Sequence, residues 1–295
     1  MTADSLLVQG LTSLWQGRYA QTLVLWQQAA TVEPQPAITH SLRALVALVN
    51  RRESEALTAC EAALALDPQQ QEARILRGYL YYRLGQDALA FADLAAVLAV
   101  DEHCLPARMI QAYLHVQAGR PEAALADLNQ VIRLNPDFAE AHYNLGHVHL
   151  ALGDRPAALA AWRTAQQLAP NRVDAYLDQA QLLVQQNQLR EALAVLSELI
   201  QAQPQLATAF SQRGSLRAAL GDSTGALVDY TRALELNPQD AQTRLQRAME
   251  RAKVGDSRGA DADAHQAADD CRTQNKVGLL QRIKAFIAQL GEVNP

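Results

Sequence analysis

The sequence predicts an all-α fold, a solenoid of stacked helical hairpins, and three regularities carry that prediction. Prolines stand at 34, 68, 136, 170, 204 and 238, so every gap is 34 residues or twice 34. With that proline counted as position 32, repeats start at residues 3, 37, 71, 105, 139, 173, 207 and 241. Position 8 is then small throughout: Gly10, Ala44, Gly78, Ala112, Gly146, Ala180, Gly214 and Ala248. Position 20 is alanine in seven repeats and Thr22 in the first. The bulk of the chain is Ala, Leu, Gln and Val, of which the first three favour helix, and no window shows the β-branched alternation of a strand.

Each repeat is expected to hold a first helix over positions 2–14 and a second over 18–31. Position 15 ends the first helix in a left-handed conformation, which is why it is Gly17, Gly85, Gly119, Gly153, Gly221 and Gly255, with Asn187 as the tolerated substitute. Arg51 departs, and predicts a strained or differently shaped turn in the second repeat. The proline at position 32 stops the second helix. Glu102 replaces it once, inside DEHC at 101–104, a drifted version of the same turn. Small residues at positions 8 and 20 let the two helices cross closely. A single hairpin cannot bury its apolar face, so neighbours must stack.

The eighth second helix, SRGADADAHQAADDCR at 257–272, nearly lacks large apolar groups and is expected to pack most weakly. The repeats span 3–274. The segment 275–295 follows, with Val277, Leu280, Ile283, Ile287 and Leu290 on one helical stripe, and is expected to cap the last open face.

This pattern resembles the tetratricopeptide repeat family over residues 3–274. The repeat AEAHYNLGHVHLALGDRPAALAAWRTAQQLAPNR (139–172) matches best, with Ala139, Leu145, Gly146, Gly153, Asp154, Ala158, Ala165 and Pro170 in family places. The resemblance implies a right-handed superhelix whose first helices line a concave groove. Two positions depart from it. Position 4, often Trp in the family, is here Leu6, His40, Arg74, Arg108, His142, Tyr176, Phe210 and Arg244, and position 7, usually Leu, is largely Gln or Arg. The face between the helices of a hairpin is therefore wetter than in the family.

Other function classes find little support. Net charge is −5, so no global basic field attracts nucleic acid. Cys60, Cys104 and Cys271 are scattered and odd in number, as in a reduced compartment, and the start MTADSLLVQG lacks the basic region of a signal peptide. With no apolar run approaching 18 residues, no membrane span is expected, and the expected location is cytoplasmic. No phosphate loop, GxSxG, HExxH or CxxC motif appears, so neither catalysis nor a cofactor is expected.

His142, His147 and His149 crowd into HYNLGHVHL at 142–150. At about 100° per residue, His147 points about 140° away from His142, so the three cannot converge on a tetrahedral ion. They read as packing residues, and no metal is expected.

Function therefore falls to the surface. The family resemblance turns positions 2, 5, 6, 9, 12 and 13 inward. In the third to fifth repeats these positions supply Tyr79, Tyr82, Arg83, Met109, Tyr113, Tyr143, Asn144 and His147, flanked by leucines on one side and by Asp178, Gln181 and Ser211 on the other. Tyrosine and methionine offer large area with a polar tip or a soft thioether, which suits an adaptable binding surface. The expected partner is a peptide segment or helix of another protein, held by a scaffold that serves assembly of a larger complex. The family's carboxylate clamp for chaperone tails is not expected. Position 5 is never Lys, position 9 never Asn and position 6 never Arg, and only Asn144 matches. The alternative is an RNA-binding helical-repeat protein of the pentatricopeptide kind, disfavoured by the period of 34 and the acidic balance.

Overall fold

The computed structural model describes residues 3–15, 19–32 and 36–293. Among them lie seventeen α-helices and no strand. They divide into two compact blocks, residues 1–168 and 169–295. The N-terminal block holds five hairpins: α1 (Ala3–Trp15) with α2 (Tyr19–Val32), α3 (Pro36–Val49) with α4 (Glu53–Leu66), α5 (Gln71–Arg83) with α6 (Asp87–Val100), α7 (Leu105–Gln117) with α8 (Pro121–Leu134), and α9 (Ala139–Ala151) with α10 (Arg155–Leu168). The C-terminal block holds three: α11 (Val173–Gln185) with α12 (Leu189–Ala202), α13 (Ala207–Ala219) with α14 (Ser223–Leu236), and α15 (Ala241–Lys253) with α16 (Ser257–Thr273). The terminal helix α17 (Val277–Val293) packs on α16 and α15. Helices begin and end about one residue before the expected bounds, a normal fraying difference.

The hairpin turn is uniform. Gly85, Gly119, Gly153, Gly221 and Gly255 all have positive φ, and so do Asn187 at 59° and Arg51 at 58°. Arg51 therefore adopts the shared turn in the left-handed conformation that strains a side chain, the first of the two outcomes expected, and not a differently shaped turn. Gly17 and Pro34 fall outside the described residues, as do the side chains of Leu14 and Trp15. The turn at Glu102 also keeps its neighbours' form: Asp101 accepts from the His103 amide at 2.9 Å, as Asp67 accepts from Gln69. An Asx turn of this kind ends the helix with or without proline.

Close crossing within a hairpin rests on a size match sixteen residues apart. Trp26, Trp162 and Tyr230 lie over Gly10, Gly146 and Gly214, and these three rings are at most 2% exposed. A Cβ at Gly10 or Gly146 would overlap the indole, and one at Gly214 would stand 2.9 Å from the Tyr230 ring. Where position 8 is alanine, the residue sixteen on is smaller: Cys60, Leu128, Leu196 or Ala264. The indoles add a hydrogen bond each, to the Leu7 carbonyl at 2.9 Å and the Tyr143 carbonyl at 3.1 Å.

The wet face has a structural account. Arg77, Arg213 and Arg247 at position 7 each donate two hydrogen bonds, of 2.7–2.9 Å, to Asp93, Asp229 and Asp263 on the second helix of their own hairpin. Asp229 also takes Arg217, and Asp263 takes Arg251. In the fourth repeat Arg108 reaches Asp127 instead, at 3.1 Å. Position 4 staples the turn before it. Arg74, Arg108 and Arg244 donate to the carbonyls of Pro68, Glu102 and Pro238, six residues back. His142 Nε2 stands 2.8 Å from the Pro136 carbonyl, which makes that nitrogen the donor.

On α17, Ile283 is fully buried with Ala241, Leu245, Ala267, Ala268 and Cys271, and Leu279, Leu280, Phe286 and Ile287 pack around it. Val277 is 59% exposed, so the buried face runs through Leu279 and Phe286 and not through Val277.

Stability outcomes follow for two pairs of variants. In Gly146→Ala the new methyl meets the rigid Trp162 indole, and thermal unfolding followed by circular dichroism should show a loss of about 1–3 kcal/mol. Gly78→Ala should cost less than Gly146→Ala, because its methyl stands 3.2 and 3.3 Å from Leu94 Cδ2 and Cγ, contacts that a shift of a few tenths of an ångström relieves, and it gains helix propensity. Asp229→Ala strands two partly buried guanidiniums and should cost about 3–5 kcal/mol, while removing the exposed Glu235 partner of Arg232 should cost under about 1 kcal/mol.

Candidate partner-binding surface

The inward positions of α5, α7 and α9 form one wall in the N-terminal block. Tyr79 and Tyr82 sit one turn apart on α5, with ring centroids 6.1 Å apart. Tyr82 stacks on Tyr113 of α7 at 6.0 Å and 24°. The Tyr113 hydroxyl donates to Glu140 Oε1 at 3.2 Å and accepts from Asn144 Nδ2 at 3.2 Å, which links α7 to α9. Asn144 also donates to the Glu140 carbonyl at 2.7 Å, and this fixes its rotamer. Farther along α9, Tyr143 meets His147 edge-on at 4.8 Å, and His147 meets the Trp162 indole at 5.3 Å. The Arg83 guanidinium pairs with Glu53 at 2.6 Å.

Of the eight expected residues, Tyr79, Tyr82, Tyr113 and Asn144 are joined by these contacts, Tyr143 and His147 form a second group with Trp162 of α10, and Arg83 pairs with Glu53 of α4. Tyr79, Tyr82, Tyr113, Tyr143, Asn144 and His147 are half-buried and Arg83 is exposed, while Val116 and Leu150 add exposed aliphatic surface beside them. The eighth does not belong. Met109 is fully buried in a cluster with Leu128, Val131 and Phe138. These cluster mates come from α8 and from the residue before α9, so position 5 of α7 offers no surface to a partner. The sequence reading passed over Glu140, although position 2 was among the inward positions.

The tyrosines are not free-standing. Burial pushes the Tyr113 hydroxyl well above its usual pKa, and the neighbouring Glu140 charge adds to the rise. Burial and Tyr79 raise Tyr82. The wall is a preorganised aromatic strip whose exposed edges are Tyr79, Tyr82 and Tyr143. In the C-terminal block the same positions are mixed: Gln212 is exposed, Ser211 and Ser215 bond to Thr243 and Gln246 at 2.6 and 3.1 Å, and Val184 and Met249 are exposed apolar residues.

The three clustered histidines diverge: His142 is held by the Pro136 carbonyl and His147 lies between two rings. Among the described residues no group of three or more His, Cys, Asp or Glu is placed to hold a metal, and no helix is long and apolar enough to cross a membrane.

The raised Tyr113 pKa sets an alkaline outcome. A phenol that ionises later in the folded chain than at its unfolded value near 10 contributes stability below that pH, and the contribution is lost as pH rises through the folded value. Tyr113→Phe should cost about 1 kcal/mol at neutral pH through its lost hydrogen bonds, and should flatten the fall of unfolding free energy above about pH 10. Burial pushes the thiols of Cys60 and Cys104 up to about 12 and about 11. Their share has the same sign and remains in the variant.

Comparison with known proteins places this geometry in a family. A model described as tetratricopeptide repeat matches residues 7–71, 143–207 and 177–241, and a second, described as TPR repeat, matches 112–153. No curated protein matches the sequence. Among solved structures, one reported for PilF of Pseudomonas aeruginosa is similar, with TM-score 0.57 and 20% identity over 68% of this chain and 92% of that one. A tetratricopeptide repeat protein from Parabacteroides merdae gives TM-score 0.50 at 17% identity, covering 84% of this chain and 98% of that one. A chain of the APC/C Cut9–Hcn1 hetero-tetramer gives 0.57 at 15%, covering 95% of this chain and 55% of that one. At such identities the structural likeness speaks for the fold alone, but the repeat model matches more than half of the sequence, and the chain belongs to the tetratricopeptide repeat family.

Proposed function

We propose that the chain is a non-catalytic cytoplasmic scaffold, and that the wall of α5, α7 and α9 grips a peptide segment or helix of a protein partner during assembly of a larger complex. The observation that carries this reading is the tyrosine strip: three rings in sequence, 6.1 and 6.0 Å apart, tied at the far end to Glu140 and Asn144. Rings held in place lose little freedom on binding, so the area they bury is not offset by ordering cost. Each large side chain buried against a partner contributes roughly 1.5–3 kcal/mol, and three or four anchors reach micromolar affinity after the cost of association. Charge on the wall favours protein over RNA. Arg83 is already paired with Glu53, and Glu140 adds an acid, so a phosphate backbone meets no basic stripe there.

The test uses Tyr79 and Tyr82, whose loss leaves the Tyr113–Glu140–Asn144 hydrogen bonds in place. In Tyr79→Ala with Tyr82→Ala, the Kd for the partner captured from native lysate should rise about 10- to 100-fold, or about 1.4–2.7 kcal/mol, with helicity unchanged. Unaltered affinity in a folded double variant moves the site off this wall.

A further inference from the structure

One part of the wall is already covered. Position 6 should face the groove in every repeat, yet Leu76 on α5 is 1% exposed and Ile110 on α7 is 0% exposed. Asn144, at the same position of α9, is half-buried. Around these residues α5 and α7 touch each other, α3 touches α5, and α1 touches both α5 and α7 besides its own partner α2. The inward residues of α1, Leu7 and Leu11, one turn apart, are fully buried in the same cluster as Leu76 and Ile110.

An evenly stepped stack does not make this contact. First helices packed about 8–10 Å apart would put α7, three repeats on, roughly 25–30 Å from α1. The first hairpin must instead fold back across the inner face. It remains a hairpin there, because Trp26 closes over Gly10 and bonds the Leu7 carbonyl.

We propose that α1 is a built-in, displaceable occupant of the wall. The partner that replaces it is an amphipathic helix carrying two leucines one turn apart on one face. This deepens the scaffold reading and rests on it, since it names the partner's chemistry and adds a step in which the chain's own helix gives way. Leu76 and Ile110, which share one buried cluster with Leu7 and Leu11 of α1, have the half-buried Tyr79 and Tyr82 packed against that cluster, so an incoming helix gains the tyrosine edges as well as the leucine seat.

The test uses the full-length chain and a labelled peptide of residues 3–15. Wild type should bind the peptide weakly, because its own α1 is seated. Leu11→Asp should unseat α1 and bind the peptide at least ten-fold more tightly. Adding Ile110→Asp should abolish the gain. Equal binding by wild type and Leu11→Asp, or a gain that survives Ile110→Asp, overturns the proposal.

Should Leu11→Asp disturb folding, amide exchange on the unaltered chain decides. Residues 3–32 should exchange at least ten-fold faster than α5 and α7, showing that they open separately, and exchange of both at one common rate overturns the proposal. A doubled mass by light scattering would mean that the hairpin sits on a second copy's wall, which also overturns the intramolecular form. None of these outcomes touches the Tyr79 and Tyr82 test, so the two readings fail separately.

Discussion

The structure depends on a size match inside seven of its eight hairpins, a small residue on the first helix with a larger one sixteen positions later on the second; the eighth has Ala248 with Ala264. Gly10 under Trp26, Gly146 under Trp162 and Gly214 under Tyr230 are its tightest cases. The match lets two helices approach within side-chain contact along one stripe and leaves each first helix only one way to face. Because the rings are almost fully buried, packing density fixes the rotation of the helix that carries the wall. Tyr143 shows the connection most plainly. Its carbonyl accepts the Trp162 indole hydrogen bond, and its ring, on the same residue, meets His147 edge-on.

Polar contacts then hold the register that packing allows. The bidentate Arg–Asp pairs within the third, seventh and eighth hairpins run from position 7 to position 23, and both ends are partly or wholly removed from water. Such pairs gain little net stability over an apolar core, but they penalise any shift that separates the charges. The donors at position 4 do the same for the junction between hairpins, each tied to a carbonyl six residues back. Two departures from the family pattern, at positions 4 and 7, are thus one device: hydrophobic contacts exchanged for directional ones.

The repeat, the turns and the helix count were legible in the sequence because they follow from local backbone chemistry. The left-handed turn is set so firmly by its surroundings that even Arg51 adopts it. The Arg–Asp pairing was also legible in principle, since aspartate stands at position 23 only in the third, fourth, seventh and eighth repeats, three of which have arginine at position 7. Burial on the inner face was not. Helical periodicity says which way Met109, Leu76 and Ile110 point, but not what lies opposite them. Met109 is closed off by its own neighbours, and the other two lie in one cluster with residues of α1, which comes from far back in the chain. Val277 on α17 differs for a related reason. A stripe of apolar residues admits several rotations, and the seat offered by Leu245 and Cys271 selects Ile283 with Leu279 and Phe286.

A tetratricopeptide scaffold is defined by what touches its wall, so the most direct measurement is a crystal structure of the full-length chain with its captured partner. The account predicts an extended or helical segment lying along α5, α7 and α9, in contact with Tyr79, Tyr82 and Tyr143. A partner seated on the second helices instead, against exposed residues such as Leu89 and Val100, with the tyrosine edges left in solvent, would contradict it.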